Sequence, residues 1–387
     1  MEEEFLSERA KSLKPSGIRK FFDLVANTKG VISLGIGEPD YVTPWKICAS
    51  AVKSIQQGMT MYTSNAGLPE LRHAICDDIK SRFGLDYEIS NCLVSVGVSE
   101  ALDLAARATL DPGDEVIVPE PSYVAYPAVV ELAGGKVVPV PTYESNNFEI
   151  TAADIEKKIT PKTKAILLGY PCNPTGAIMT RERMTEIADV VKRHNLIVYA
   201  DEIYERLTYG ATHVCFASIP GMQERTVLLG GFSKAYAMTG WRVGYALAPD
   251  KILAAMLKIH QHTIMCASTA SQMAAITAIR ECGPDSDRMV EDYNKRRLFI
   301  VGGLRRCGFS CFEPKGAFYA FPNITSTGLT SEQFAEQLLE QQKVAVIPGT
   351  AFGESGEGYV RCCYATGMDD IHEALNRIKK FVDSLKN

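Results

Sequence analysis

The middle of the chain alternates short apolar runs with stretches whose apolar residues recur at helical spacing. Cys92–Val96 (CLVSV) reads as a buried strand, and after Gly97 comes an apolar-periodic helix over Ser99–Leu110. Glu115–Val118 is a strand between two turn signals, DPGD and PEPSY, and Val137–Val140 is another. Ala165–Leu168 runs into the breaker-rich PCNPTG. A helix over Thr180–His194 leads to the strand Leu196–Ala200, and Thr226–Leu229 is a further strand. Strands alternating with helices of this length predict a mostly parallel central sheet flanked by helices in a large α/β domain. In such sheets ligands sit in the crevice beyond the carboxyl ends of the strands.

The last hundred or so residues read differently. Arg288–Cys307 is a charged amphipathic helix, GAFYAF a strand, Ser331–Gln341 a helix, and VAVIP and YVRCCYA two more strands before a closing helix over Ile371–Leu385. That mixture predicts a smaller α+β domain, with the N-terminal segment packing beside it. The division expected is 46–285 for the large domain, against 1–45 together with 286–387 for the small one.

Composition adds constraints rather than an activity. The 387 residues have room for two or three domains. Asp and Glu outnumber Lys and Arg, 46 to 41, which gives no basic footprint for nucleic acid or an anionic membrane. The 11 cysteines are irregularly spaced with no CxxC pair, which argues against a zinc ribbon and fits a reducing compartment. The start, MEEEFLSERA, is acidic where a secretory signal is basic and then apolar. No apolar run approaches a membrane span. A cytoplasmic protein is expected.

The segment Gly230–Tyr245, GGFSKAYAMTGWRVGY, carries the most chemistry. A lone lysine is ordinarily a solvated surface residue. Lys234 instead follows a buried strand, among small residues that let a backbone approach a ligand. Arg242 adds a permanent charge and a donor fork suited to phosphate. An amine nucleophile near an anion clamp suits a Schiff-base cofactor. Asp201, in DEIY, ends a strand and so points at the expected crevice, where a carboxylate pairs with a protonated ring nitrogen; capping a following helix is the plainer alternative. YPCNPTG makes a turn by itself, although Asn173 is also placed to donate to a ligand oxygen. VGVSEA is a strand–glycine–helix junction whose free amides suit an anion. The HxH of His260 and His262 has no further ligand spacing and is taken as helix or loop composition, so no metal is expected.

Taken together, SKxxAMTGWRxGY, DEIY, NPTG, GxGEPD, YxxxAGxxELR and YVRxxYA resemble the class I/II aminotransferases dependent on pyridoxal 5'-phosphate (PLP), fold type I, over Ser16–Arg377. The likeness is to bacterial and archaeal aspartate and aromatic amino acid aminotransferases. It implies that Lys234 carries the cofactor as a Schiff base. Asp201 then pairs with the ring nitrogen, Tyr204 and Asn173 contact the ring oxygen, and Tyr123 stacks on the ring. Val98, Ser99 and Arg242 hold the phosphate, with Ser233 a weaker candidate, and Tyr62 reaches the phosphate in the other subunit of a homodimer with shared sites. Gly37 lines the substrate site, and Arg361 clamps the substrate α-carboxylate. Two departures stand out. Gly231 takes the place of a phosphate-binding serine, and Ser99 the place of a lysine found in some aspartate-specific relatives.

The reaction implied is transamination between an L-amino acid and 2-oxoglutarate, with Lys234 as covalent anchor and acid–base group. Arg242 and Arg361 are expected to favour its neutral amine. Aspartate is the favoured donor, with Arg19 the candidate cation for its side-chain carboxylate. Aromatic amino acids and N-acetyl-diaminopimelate are the alternatives, and a C–S lyase on the same scaffold is a lesser one. A PLP-sensing regulator appends a DNA-binding domain, for which the short segment before Gly35 leaves no room.

Overall fold

The computed structural model describes residues 5–13 and 30–385. Strand β1 (Ile32–Ser33) precedes β2 (Cys92–Ser95), β3 (Glu115–Glu120), β4 (Lys136–Pro141), β5 (Thr163–Gly169), β6 (Ile197–Asp201), β7 (Thr226–Gly231) and β8 (Gly244–Leu247). From β2 to β8 they form one seven-stranded sheet in the order β2-β8-β7-β6-β5-β3-β4. Only β8 runs against its neighbours, pairing antiparallel with both β2 and β7. Apart from the edge strand β4, the strands are largely buried because helices cover both faces. Leu167, Tyr199, Val227 and Leu229 face the helices Gly97–Thr109, Ala125–Leu132 and Asp250–Thr263. Ile166, Leu168, Val198 and Leu228 face the other core, with the helices Pro69–Phe83 and Arg181–Arg193.

The smaller elements are β9 (Ser310–Cys311), β10 (Tyr319–Ala320), β11 (Pro322–Asn323), β12 (Val344–Ala345), β13 (Ile347–Pro348) and β14 (Val360–Cys363). The strand expected over GAFYAF shrinks to β10. The Gly316 and Ala317 amides bond to Gly176 and Leu207 carbonyls instead of a ladder, and Ala317 has φ +56°. VAVIP splits in two, since β12 pairs with β1 while β13 pairs with β14. The Gly283–Arg306 helix starts earlier than its charge pattern suggests, with Pro284 in its first turn, where proline is tolerated.

The N-terminal segment is divided. Residues 32–34 join the small sheets: β1 lies on β12, and the Cys363 amide bonds to the Leu34 carbonyl at 2.7 Å. Glu8–Ser12 does not follow them. This helix lies at the Ala125–Leu132 helix of the large sheet, with Arg9 donating to the Leu132 carbonyl. No helix among the described residues is long and apolar enough to cross a membrane.

Candidate active site

A cleft of about 390 Å³ opens where the carboxyl ends of β2, β5, β6 and β7 meet residues from the small sheets. Gly37, Val98, Ser99, Tyr123, Asn173, Asp201, Tyr204, Ser233, Lys234, Arg242 and Arg361 all line it. Of the two other expected site residues, only Tyr62 is described. Tyr62 lies outside the cleft of its own chain and is 77% exposed. Arg19 lies outside the described residues.

Lys234 follows β7 and sends its Nζ to the Gly37 carbonyl at 2.8 Å. Burial is the main cause that brings its ammonium down to about 8. Arg361 and Arg242 act in the same direction, but less than burial does, and the Cys363 and Glu38 side chains oppose them. The two arginines thus favour the neutral amine as the sequence led us to expect, with burial as the larger cause. Taking the amine out of water does most of the work.

Asp201 is the last residue of β6. Its carboxylate caps no helix, because the chain continues as a turn; Oδ1 accepts from the Ile203 amide at 3.2 Å. Oδ2 accepts from the Tyr126 hydroxyl at 2.9 Å. Burial pushes this carboxyl up to about 6 against the pull of those two donors. Tyr126 was missed in the sequence, yet it sits three residues after Tyr123, whose ring it meets edge-on at 5.6 Å.

Gly97 begins the helix that presents Val98 and Ser99, whose first-turn amides have no carbonyl four residues back. Gly97 has φ +78°, and a Cβ there would come 2.7 Å from Arg242 Nη2. Only glycine lets the guanidinium lie against the helix start. Behind this turn, Glu100 accepts from the Val96 amide and meets His260 Nδ1 at 2.6 Å. His260, on the Asp250–Thr263 helix, therefore has its partner on the Gly97–Thr109 helix, and His262 is exposed on the same helix as His260.

From the small sheets comes Arg361, on β14 and only 2% exposed. It donates to Asn173 Oδ1 at 2.9 Å and to the Gly35 carbonyl at 2.6 Å. Its Nε is buried with no partner. Its guanidinium lies 4.5 Å from the centre of the Tyr319 ring. Tyr319, also missed in the sequence, meets Tyr204 hydroxyl to hydroxyl at 2.7 Å. Glu38 and Thr239, joined by a 3.0 Å hydrogen bond, complete the rim.

These groups fit a phosphorylated pyridine aldehyde. They offer a buried primary amine, a carboxylate, an aromatic face and a helix start beside a guanidinium. They also offer a second, buried guanidinium with a free donor for a carboxylate.

Comparison with known proteins agrees with this chemistry. The family model for aminotransferase class I and II matches residues 29–378. The chain is 52% identical to the Bacillus subtilis protein YugH, over 98% of both. It is 43% identical to an aspartate aminotransferase of Pyrococcus abyssi, over 98% of this chain and 99% of that one. The structure of an aromatic aminotransferase from Pyrococcus horikoshii superposes with a TM-score of 0.91 at 42% identity, covering 95% of this chain and 99% of that one. The chain belongs to the class I and II aminotransferases, fold type I enzymes that use pyridoxal 5'-phosphate to move amino groups between amino and oxo acids.

Proposed function

We propose that the cleft holds PLP on Lys234 and that the enzyme transaminates L-aspartate with 2-oxoglutarate. One observation carries the reading: a lysine amine brought near neutrality by burial shares a cleft with a buried arginine whose Nε is unpartnered. The bound cofactor supplies an electron sink for charge developing at the substrate α-carbon. Asp201 keeps the ring nitrogen protonated, Tyr123 covers the ring, and Asn173 and Tyr204 donate to the ring oxygen. Val98, Ser99, Ser233 and Arg242 hold the phosphate. Arg361 binds the substrate carboxylate beside the Gly37 backbone, which fixes the α-hydrogen towards Lys234. The Lys234 amine then removes that proton and later returns one, a task suited to a group titrating near 8.

The division of the chain proposed from the sequence, 46–285 against the two ends, puts the cofactor groups in the first part and Arg361 in the second. We also propose a homodimer in a reducing, cytoplasmic setting, with Tyr62 serving the partner's phosphate. The adjacent Met61 is also an exposed apolar side chain, which supports that segment as part of the contact. The mass in solution by light scattering tests it.

Substrate choice turns on a second cation. Among the described lining residues the cationic groups are Lys234, Arg242 and Arg361, and each already has a task. In the aspartate reading that second cation is Arg19, as the sequence suggested. The ring-rich lining, Tyr123, Tyr126 and Tyr319, favours aromatic amino acids as the second reading. A panel of amino donors against 2-oxoglutarate separates them, with acyl-diaminopimelate included. Under the aspartate reading Arg19→Ala raises KM for aspartate far more than for phenylalanine. Equal effects, or phenylalanine as the better donor, overturn it.

A further inference from the structure

We propose that Tyr319 is a positioning residue: its hydroxyl sets the direction of the Tyr204 hydroxyl proton, and so couples Lys234 to the ring-oxygen contact. The inference rests on the reading above that Tyr204 donates to the cofactor's ring oxygen.

The two phenols are 2.7 Å apart, oxygen to oxygen, and both rings are buried. One hydrogen bond joins them, so only one of the two protons lies between them. The other needs a second acceptor. On the Tyr319 side that acceptor is the Gly37 carbonyl, 3.4 Å away. The same carbonyl accepts from Lys234 Nζ at 2.8 Å. Four groups thus form one line: the Lys234 amine, the Gly37 carbonyl, the Tyr319 hydroxyl and the Tyr204 hydroxyl.

The line has two arrangements. With Tyr319 donating to Gly37, Tyr204 points its proton at Tyr319. With Tyr319 donating to Tyr204, the Tyr204 proton is free to face the cleft. A negatively charged ring oxygen on a bound cofactor is the stronger acceptor for the Tyr204 proton, so it selects the second arrangement, in which Tyr319 donates to Tyr204 rather than to the Gly37 carbonyl. Neither phenol ionises to do this, since burial raises both well above the ordinary phenol range. The titratable groups around the pair are Arg361, Cys363, Tyr123 and Lys234. Space at this point is set by glycine: a Cβ on Gly37 would come 2.8 Å from the Tyr319 hydroxyl.

The test is a spectroscopic pH titration of the cofactor bound to Lys234, in the holoenzyme, for Tyr204→Phe, Tyr319→Phe and the double variant. A donor to the ring oxygen favours its negative charge, so losing it raises the titration midpoint. Tyr204→Phe is expected to raise it by about 1 pH unit, the scale of a charge-assisted hydrogen bond. Tyr319→Phe keeps the ring beneath Arg361 and is expected to raise it by roughly half as much. The double variant is expected to match Tyr204→Phe alone, because Tyr319 acts through Tyr204. Additive shifts, or no shift in Tyr319→Phe while Tyr204→Phe moves, overturn the proposal. No shift in Tyr204→Phe overturns the assignment of Tyr204 instead. Binding of PLP to the apo-protein, followed by fluorescence, gives a readout apart from turnover, and Tyr319→Phe should weaken it less than Tyr204→Phe.

Discussion

On the sheet side of the cleft, Asp201, Lys234 and the start of the Gly97–Thr109 helix stand at or just beyond the carboxyl ends of β6, β7 and β2 in one sheet. Strand pairing and two cores fix their positions before any side chain interacts. On the small-sheet side, Tyr319 and Arg361 stand on the paired strands β10 and β14, and Gly37 comes from a segment 282 positions before Tyr319, tied in by contacts such as Arg361 to the Gly35 carbonyl. In the function proposed above, the first side carries most of the cofactor contacts, and the second carries the clamp for the substrate carboxylate. Changes on the two sides should therefore fail in different ways.

The largest effect is expected from Lys234→Ala, with a loss of roughly 10⁴-fold or more in turnover measured with aspartate and 2-oxoglutarate. Arg361→Ala should cost about 10²–10³-fold in kcat/KM, because it strands a buried carboxylate site, while PLP affinity by fluorescence titration stays near normal. An equal loss of PLP affinity would erase the distinction between the sides. Gly97→Ala is its mirror image. Its Cβ strains a left-handed position and pushes on Arg242, so PLP should bind about 10–100-fold more weakly, with KM at saturating cofactor little changed.

The smallest effect is on stability. The folded pKa of Asp201 is raised to about 6, above the ordinary 3.8. Its contribution is therefore fully present below the unfolded value and fades as pH rises through the folded one, by about 3 kcal/mol in all. Asp201→Asn should raise the apo-protein's Tm at pH 7–8, by on the order of 1–3 kcal/mol of stability, and flatten its slope between pH 4 and 6. Activity should fall in the same variant. A variant less stable than the parent at pH 7 would contradict the burial account.

The sequence exposed the sheet side more fully than the other. Lys234 and Asp201 follow strands that periodicity alone delimits, and Gly97 separates a strand from a helix. Tyr126 was legible in principle, three residues past Tyr123, but nothing local says its hydroxyl meets Asp201. Tyr319 was hidden more deeply. GAFYAF resembles a plain buried strand, and its task depends on Tyr204 and Gly37, 115 and 282 positions away. The departure of Glu8–Ser12 from the small sheets was likewise invisible, since a short polar helix carries no pattern that names its neighbour.

The central claim is that Lys234 bears the cofactor. Incubating the protein with PLP, reducing with borohydride and mapping the peptides by mass spectrometry tests it directly. The account expects a stable pyridoxyl label on the peptide containing Lys234, lost in Lys234→Ala. A label on a different lysine, or one that persists in that variant at full occupancy, would contradict it.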